Sequence, residues 1–247
     1  MVMPGIWRRV SPLFKPVRKA LSSDRRRPDP QPPAAAAARR AGAGRLSRRR
    51  SHPKSCMMNR RARMTPPDIA PPRFPLVTRL PTGEEVTVRA VLPEDAGHVR
   101  TGFDQLSEQS RFFRFLNAHP ALTESDLARI AAGNDADHMA IGALTREDHP
   151  APMGIARYIR FAGAPERAEM AVTIVDRFQR RGLGRLLVTA LGDQAVADGI
   201  TCFVAFVHAR NEGMLALLRG MGARTAARHG SELELHLPLP VARKAGA

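Results

Sequence analysis

The sequence predicts a mixed α and β domain preceded by a tail that does not fold. Two observations carry this reading. The chain carries 39 Lys and Arg against 23 Asp and Glu, a formal net charge of +16. Residues 1–64 hold 18 of the basic and only two of the acidic residues, so the remainder is balanced at 21 of each. From about Phe74 onward, strand-like and helix-like segments alternate over a length that suits one hydrophobic core. Together they divide the chain into a basic tail over 1–72, a folded domain over 73–240 and a short C-terminal tail over 241–247.

The tail is rich in Arg, Pro, Ala and Gly, as in "RRRPDPQPPAAAAARRAGAGR", and lacks an apolar period. Such a segment buries too little surface to offset its ordering entropy, which predicts disorder. Its arginine clusters are a route to nucleic acid by counterion release, and their acid-poor character faintly resembles a transit peptide. Met57, Met58 and Met64 offer alternative translation starts just before the composition changes. No run approaches the roughly 18–20 apolar residues that cross a bilayer. Two cysteines, Cys56 and Cys202, give neither a disulfide framework nor metal-ligand spacing, so no metal is expected and a cytoplasmic protein is. Cys202, in an apolar run, is expected to be buried.

Within the domain, "EEVTVRAV" (84–91), "HMAIGALT" (138–145), "PMGIARYIRF" (152–161) and "ERAEMAVTIV" (166–175) read as strands by β-branched content and partial alternation. "PEDAGHVRTGFDQL" (93–106) and "TESDLARIAAG" (123–133) read as helices, the second opened by a capping box of Thr123 and Asp126. "LGRLLVTALGDQAVADG" (183–199) sets Leu183, Leu187, Ala190 and Leu191 on one helical face, with Gly199 as its stop. A buried-type strand (201–207), a short helix (211–222) and an alternating strand (231–237) close the series. Its order is β-α-α-β-β-β-α-β-α-β, with one strand-helix-strand crossover of right hand.

The turn "QRRGLGR" (179–185) joins the strongest strand to the long helix. Gly182 and Gly184 remove side chains there, so the amides of Arg180 to Arg185 converge as an anion site, and three arginines add positive potential suited to a phosphate or pyrophosphate. A dinucleotide fingerprint would need glycine at Leu187, and a P-loop would need Gly-Lys-Ser/Thr, which the chain lacks.

"QRRGLGRLL" resembles the Gln/Arg-x-x-Gly-x-Gly/Ala signature of the GCN5-related N-acetyltransferases (GNAT). The upstream "AEMAVTIVD" and downstream "VHARNEGMLALLRGMGA" are similar to the neighbouring segments of that family. With "SEQSRFFRFL", the resemblance spans about residues 85–237 and is greatest to domains allied to bacterial protein-lysine acetyltransferases. It implies a GNAT-type fold, a mostly antiparallel twisted sheet of about 6–7 strands flanked by about four helices. It also implies acetyl-coenzyme A as co-substrate and transfer of the acetyl group to a primary amine, either a protein lysine or a small molecule.

The resemblance places Glu169 as general base. Alternation puts it on one face with Ala171, Thr173 and Val175, where burial would raise its pKa, although a partner in Arg157 or Arg167 would give it a purely structural role. It places the pyrophosphate on Gln179, Arg180, Arg181, Gly182, Leu183, Gly184 and Arg185, and the pantetheine arm on the backbone of Thr173 and Ile174. Asn211 stands near the cofactor arm, a position equally suited to a helix N-cap. The tyrosine that many members use to protonate the leaving thiolate is replaced by Leu218, and the chain's single tyrosine is Tyr158. His208 is a candidate for that acid but reads rather as a structural strand-end residue, and Phe112, Phe113 and Phe115 read as core in preference to a partly aromatic pocket wall. Two other functions stay open: a non-catalytic coenzyme A sensor, favoured by the missing tyrosine, and a nucleic-acid-associated protein acting through the tail.

Overall fold

A computed structural model describes residues 74–116, 121–130, 134–135 and 137–242. The proposed N-terminal tail with Cys56, the last three residues (131–133) of the helix read over 123–133, and residues 243–247 of the C-terminal tail lie outside them. The strands are β1 (Leu76–Arg79), β2 (Glu85–Ala90), β3 (His138–Thr145), β4 (Pro152–Phe161), β5 (Ala164–Ile174), β6 (Cys202–His208), β7 (Arg224–His229) and β8 (Glu232–Pro238). The helices are α1 (Ala96–Asp104), α2 (Glu108–Phe115), α3 (Glu124–Ile130), α4 (Leu183–Ala197) and α5 (Glu212–Arg219).

All eight strands join one sheet in the order β1-β2-β3-β4-β5-β6-β8-β7. Every pairing is antiparallel except β5 with β6, which α4 connects. The fold is therefore the mostly antiparallel one expected, with two more strands among the described residues than the six read from the sequence and one more helix than the four. The additional strands lack a sequence signal for a physical reason. β1 is four residues long behind a proline cluster, and β7 ("RTAARH") has no buried residue because it is an exposed edge.

The local predictions rest on chemistry that the fold preserves. Thr123 and Asp126 bond reciprocally, with Asp126 N–H donating to Thr123 Oγ1 at 3.2 Å and Thr123 N–H donating to Asp126 Oδ2 at 2.9 Å. In α4, Leu183, Leu187 and Leu191 are at most 1% exposed, and Gly199 ends the segment at φ +80°. The helix read over 93–106 opens instead with a single 3-10 turn, Pro93–Asp95, before α1.

Alternation along the strands separates two sheet faces. On one, Val88, Ile141, Met153, Tyr158, Met170, Phe203 and Leu235 pack with α4 and α5 into the main core. Full burial of a leucine or phenylalanine contributes about 1.5–3 kcal/mol, so this face dominates stability. The other face lies under α1, α2 and α3 and has a smaller core of Val91, Ile130 and Ala140, with Phe115 and Ile155 packed against it. Cys202 is buried, as expected. The phenylalanines of α2 are core only in part: Phe115 packs against the smaller core, Phe113 is half-buried and Phe112 is 39% exposed. An eight-residue helix at the edge of the smaller core has too little apolar surface opposite it to cover all three rings.

Candidate active site

Strands β5 and β6 pair only at Arg167 with Cys202, Ala168 with Phe203 and Glu169 with Val204. On its other edge β5 continues in register with β4 as far as Ile174, opposite Gly154. From Met170 onward, therefore, β5 is held on one side and open on the other. That half-open edge leads toward the 179–185 turn.

Glu169 sits at the mouth of this opening, 6% exposed, and its Oε1 has no hydrogen-bond partner among the described residues. Burial pushes its carboxyl up to about 7, and the nearby guanidiniums of Arg157 and Arg114 oppose the rise only in part. Arg157, on β4 and 2% exposed, faces Ala171 of β5 and lies on the face that carries Glu169. Of the two arginines named as structural partners, Arg157 thus acts through its field. Arg167 instead meets His236, with Nη2 2.9 Å from Nε2. Thr173, further along the same face, has a buried Oγ1 with no hydrogen-bond partner among the described residues.

The turn after β5 has the geometry its glycines predict. Gly182 is the N-cap of α4 at φ +91°, and Arg180 is also left-handed at φ +60°. No side chain caps this helix, and its first main-chain bond runs from Leu186 N–H to Gly182 C=O at 3.1 Å. The amides of Leu183, Gly184 and Arg185 precede that bond and point out of the helix end, where the macrodipole favours an anion. A Cβ at Gly182 would lie 2.9 Å from Pro81 Cδ, and one at Gly184 would lie 3.0 Å from Leu217 Cδ2.

The side chains around the turn are more committed than the sequence implies. Arg181 is ion-paired with Glu84, and Arg185 Nη2 donates to Gly220 C=O at 3.0 Å. Arg180 is exposed at the turn. Gln179 Nε2 donates to Ile174 C=O at 3.1 Å and closes the turn onto the end of β5. Asp176 fastens α2 to the same turn: its carboxylate accepts from Ser107 N–H at 3.0 Å, Ser107 Oγ at 2.8 Å and Ser110 Oγ at 2.8 Å.

Asn211 caps α5, its Oδ1 accepting from Met214 N–H at 3.1 Å. Leu218 is fully buried in the main core, so the position where the resemblance expects a tyrosine faces away from solvent. Tyr158 is equally buried on the α4 face and donates to Asp198, which removes it from the Glu169 face. His208 ends β6 between Phe113, stacked at 5.7 Å, and Phe112, edge-on at 5.4 Å. Its Nδ1 accepts from Arg210 N–H at 3.1 Å, which leaves the proton of a neutral ring on Nε2. Across from it stand Glu232 and Glu234 on the same face of β8. Sequence reasoning did not single out these carboxylates, because β8 reads simply as an alternating strand.

A family model, the acetyltransferase (GNAT) domain, matches residues 85–224. The chain belongs to the GNAT family. Acetyltransferase Pat of Mycolicibacterium smegmatis is 28% identical over 167 residues, 68% of this chain and 50% of that protein. This GNAT chain thus matches only about half the length of that relative. Acetyltransferase PA5475 of Pseudomonas aeruginosa is 31% identical over 147 residues, 59% of this chain and 78% of its own. The GNAT domain of S. lividans PAT superposes with TM-score 0.62 at 24% identity, covering 66% of this chain and 96% of that one. The Salmonella typhimurium protein yncA, solved with its cofactor acetyl-CoA, superposes with TM-score 0.50 at 20% identity over 62% of this chain and 91% of its own. Both structures share the fold. Among the described residues no cluster of three or more His, Cys, Asp or Glu is arranged to hold a metal, and no helix is long and apolar enough to cross a membrane.

Proposed function

We infer that this chain transfers an acetyl group from acetyl-coenzyme A to a primary amine, with Glu169 as general base. One observation carries the reading: a buried carboxyl with a pKa near 7 stands where two parallel strands part. The amides of Leu183 to Arg185, with Gln179, Arg180, Arg181 and Gly182 shaping the turn, take the pyrophosphate. The pantetheine arm runs along the open edge of β5 and bonds the backbone of Thr173 and Ile174. Asn211 contributes through the shape it gives the start of α5.

The amine nitrogen attacks the thioester carbonyl carbon and a C–N bond forms. Glu169 accepts the amine proton, directly or through a water, and the C–S bond breaks to release coenzyme A. With Leu218 buried, the leaving thiolate takes its proton from water, which a thiol pKa near ~8.5 permits. Glu232 and Glu234, beside the Phe112, Phe113 and His208 cluster, favour an acceptor that arrives as a cation, a lysine side chain or a small amine.

Glu169→Gln separates this reading from a coenzyme A sensor. Thiol release from acetyl-coenzyme A against a panel of amines and lysine peptides should fall at least about a hundredfold. Calorimetric affinity for coenzyme A should stay within about twofold. Undiminished turnover in the variant would remove Glu169 from the mechanism.

A further inference from the structure

A pocket with a cavity volume of about 90 Å³ opens beneath α1, between it and strands β2 to β5. Ala171 and Thr173 of β5 form part of its floor, on the face that carries Glu169. Since about 10–15 Å³ of such volume admits one water-sized group, it has room for several methylenes beyond the methyl of an acetyl group.

We propose that this pocket receives the acyl chain of the thioester, and that the donor range extends beyond acetyl to acyl-coenzyme A with a longer unbranched apolar chain. The proposal rests on the transferase reading, which sets the thioester against the backbone of Thr173 and Ile174. A chain leaving that carbonyl on the Glu169 face has the pocket directly beside it. Gly142, Ala143, Gly154 and Ala171 keep the floor low, and Val99, Phe103, Ile130 and Ile155 wall it with apolar surface.

The charged residues around the pocket do not offer themselves to an anionic chain end. All three guanidinium nitrogens of Arg157 and Nη1 of Arg114 each expose less than 1 Å². At the rim, Arg89 is engaged by Asp95 through two bonds of 2.6 Å, and His98 lies 3.4 Å from the same carboxylate. Most of the lining is apolar, so an apolar chain is well covered there, while a terminal carboxylate loses its water on entry. The acyl step balances as for acetyl: the amide forms, the thioester breaks and free coenzyme A leaves.

The test compares acetyl-, propionyl-, butyryl-, hexanoyl- and succinyl-coenzyme A with the full-length protein and one common amine. KM should fall about fourfold per added methylene up to butyryl, and hexanoyl should remain at least as good as acetyl. Val99→Phe, which fills the pocket from α1, should cut hexanoyl transfer at least tenfold and change acetyl transfer less than twofold. A tenfold loss of kcat/KM from acetyl to butyryl overturns the proposal, as does succinyl matching butyryl. Should the variant misfold, the wild-type series decides alone. Calorimetry separates the two readings: no heat with coenzyme A itself sinks the transferase reading and the pocket with it. Equal affinity for acetyl- and butyryl-coenzyme A sinks the pocket only.

Discussion

Glu169 faces Val204 in the last parallel rung before β5 and β6 separate, so the buried carboxyl and the open strand edge are one structural feature. A general base needs its proton affinity set near working pH and its oxygen near the reacting nitrogen. Continued pairing past this rung would close the edge; an earlier break would open the carboxyl to water and lower its pKa.

The pH dependence follows with a definite sign. Glu169 must be ionised to accept a proton, so kcat/KM should rise with pH through about 7 and level off above it. A profile flat between pH 5.5 and 8 would contradict this. Stability moves the other way. The carboxyl binds its proton more tightly folded than unfolded, so the native state loses stability as pH rises from about 4.5 to about 7. Glu169→Gln should therefore melt higher than the wild type at pH 8, and the gap should close toward pH 4.

The two glycines of the turn should respond unequally to alanine. At Gly182 a Cβ combines φ +91° with a 2.9 Å approach to the rigid ring of Pro81, so Gly182→Ala should cost about 1–3 kcal/mol and weaken coenzyme A binding at least tenfold. Gly184→Ala meets only the movable end of Leu217 and should change affinity less than threefold. Chemical denaturation with parallel calorimetry measures both effects, and equal losses in the two variants would argue against the loop geometry.

Tyr158→Phe tests whether the protein's single tyrosine takes part in turnover. Its hydroxyl donates to Asp198 on the core face, opposite Glu169, and burial heads the causes that raise its pKa. The variant should lose about 1–3 kcal/mol of stability by leaving Asp198 short of a donor. Its kcat should stay within twofold. A kcat loss of tenfold or more in a folded variant would make Tyr158 part of the mechanism.

Acid stability should depend on Asp95. The bidentate Arg89 guanidinium holds its carboxyl down at about 2, against the cost of burial. A depressed folded pKa stabilises above the unfolded value and fails as pH falls through the folded one, so about 2 kcal/mol should disappear between pH 4 and pH 2. Asp95→Asn should remove most of this dependence in urea titrations. A parallel pH profile for wild type and variant would refute the assignment.

What the sequence determined by itself was local. The apolar stripe Leu183, Leu187, Leu191, the capping box of Thr123 and Asp126 and the glycines of the 179–185 turn each express an energy settled within a few residues. Spacing alone therefore reveals them. The GNAT-like motif placed Glu169 on the strand leading into the turn for the same reason. Tertiary structure decided what depends on residues far apart in the chain. Arg181 is drawn to Glu84, 97 positions away, rather than left for a phosphate. β7 becomes a strand because β8 offers it an edge, and α2 leaves Phe112 exposed because little apolar surface lies opposite. The pocket beneath α1 belongs to no segment. It exists because α1, α2 and α3 cover a sheet face floored by glycine and alanine, and periodicity along a chain carries no information about the space between its parts.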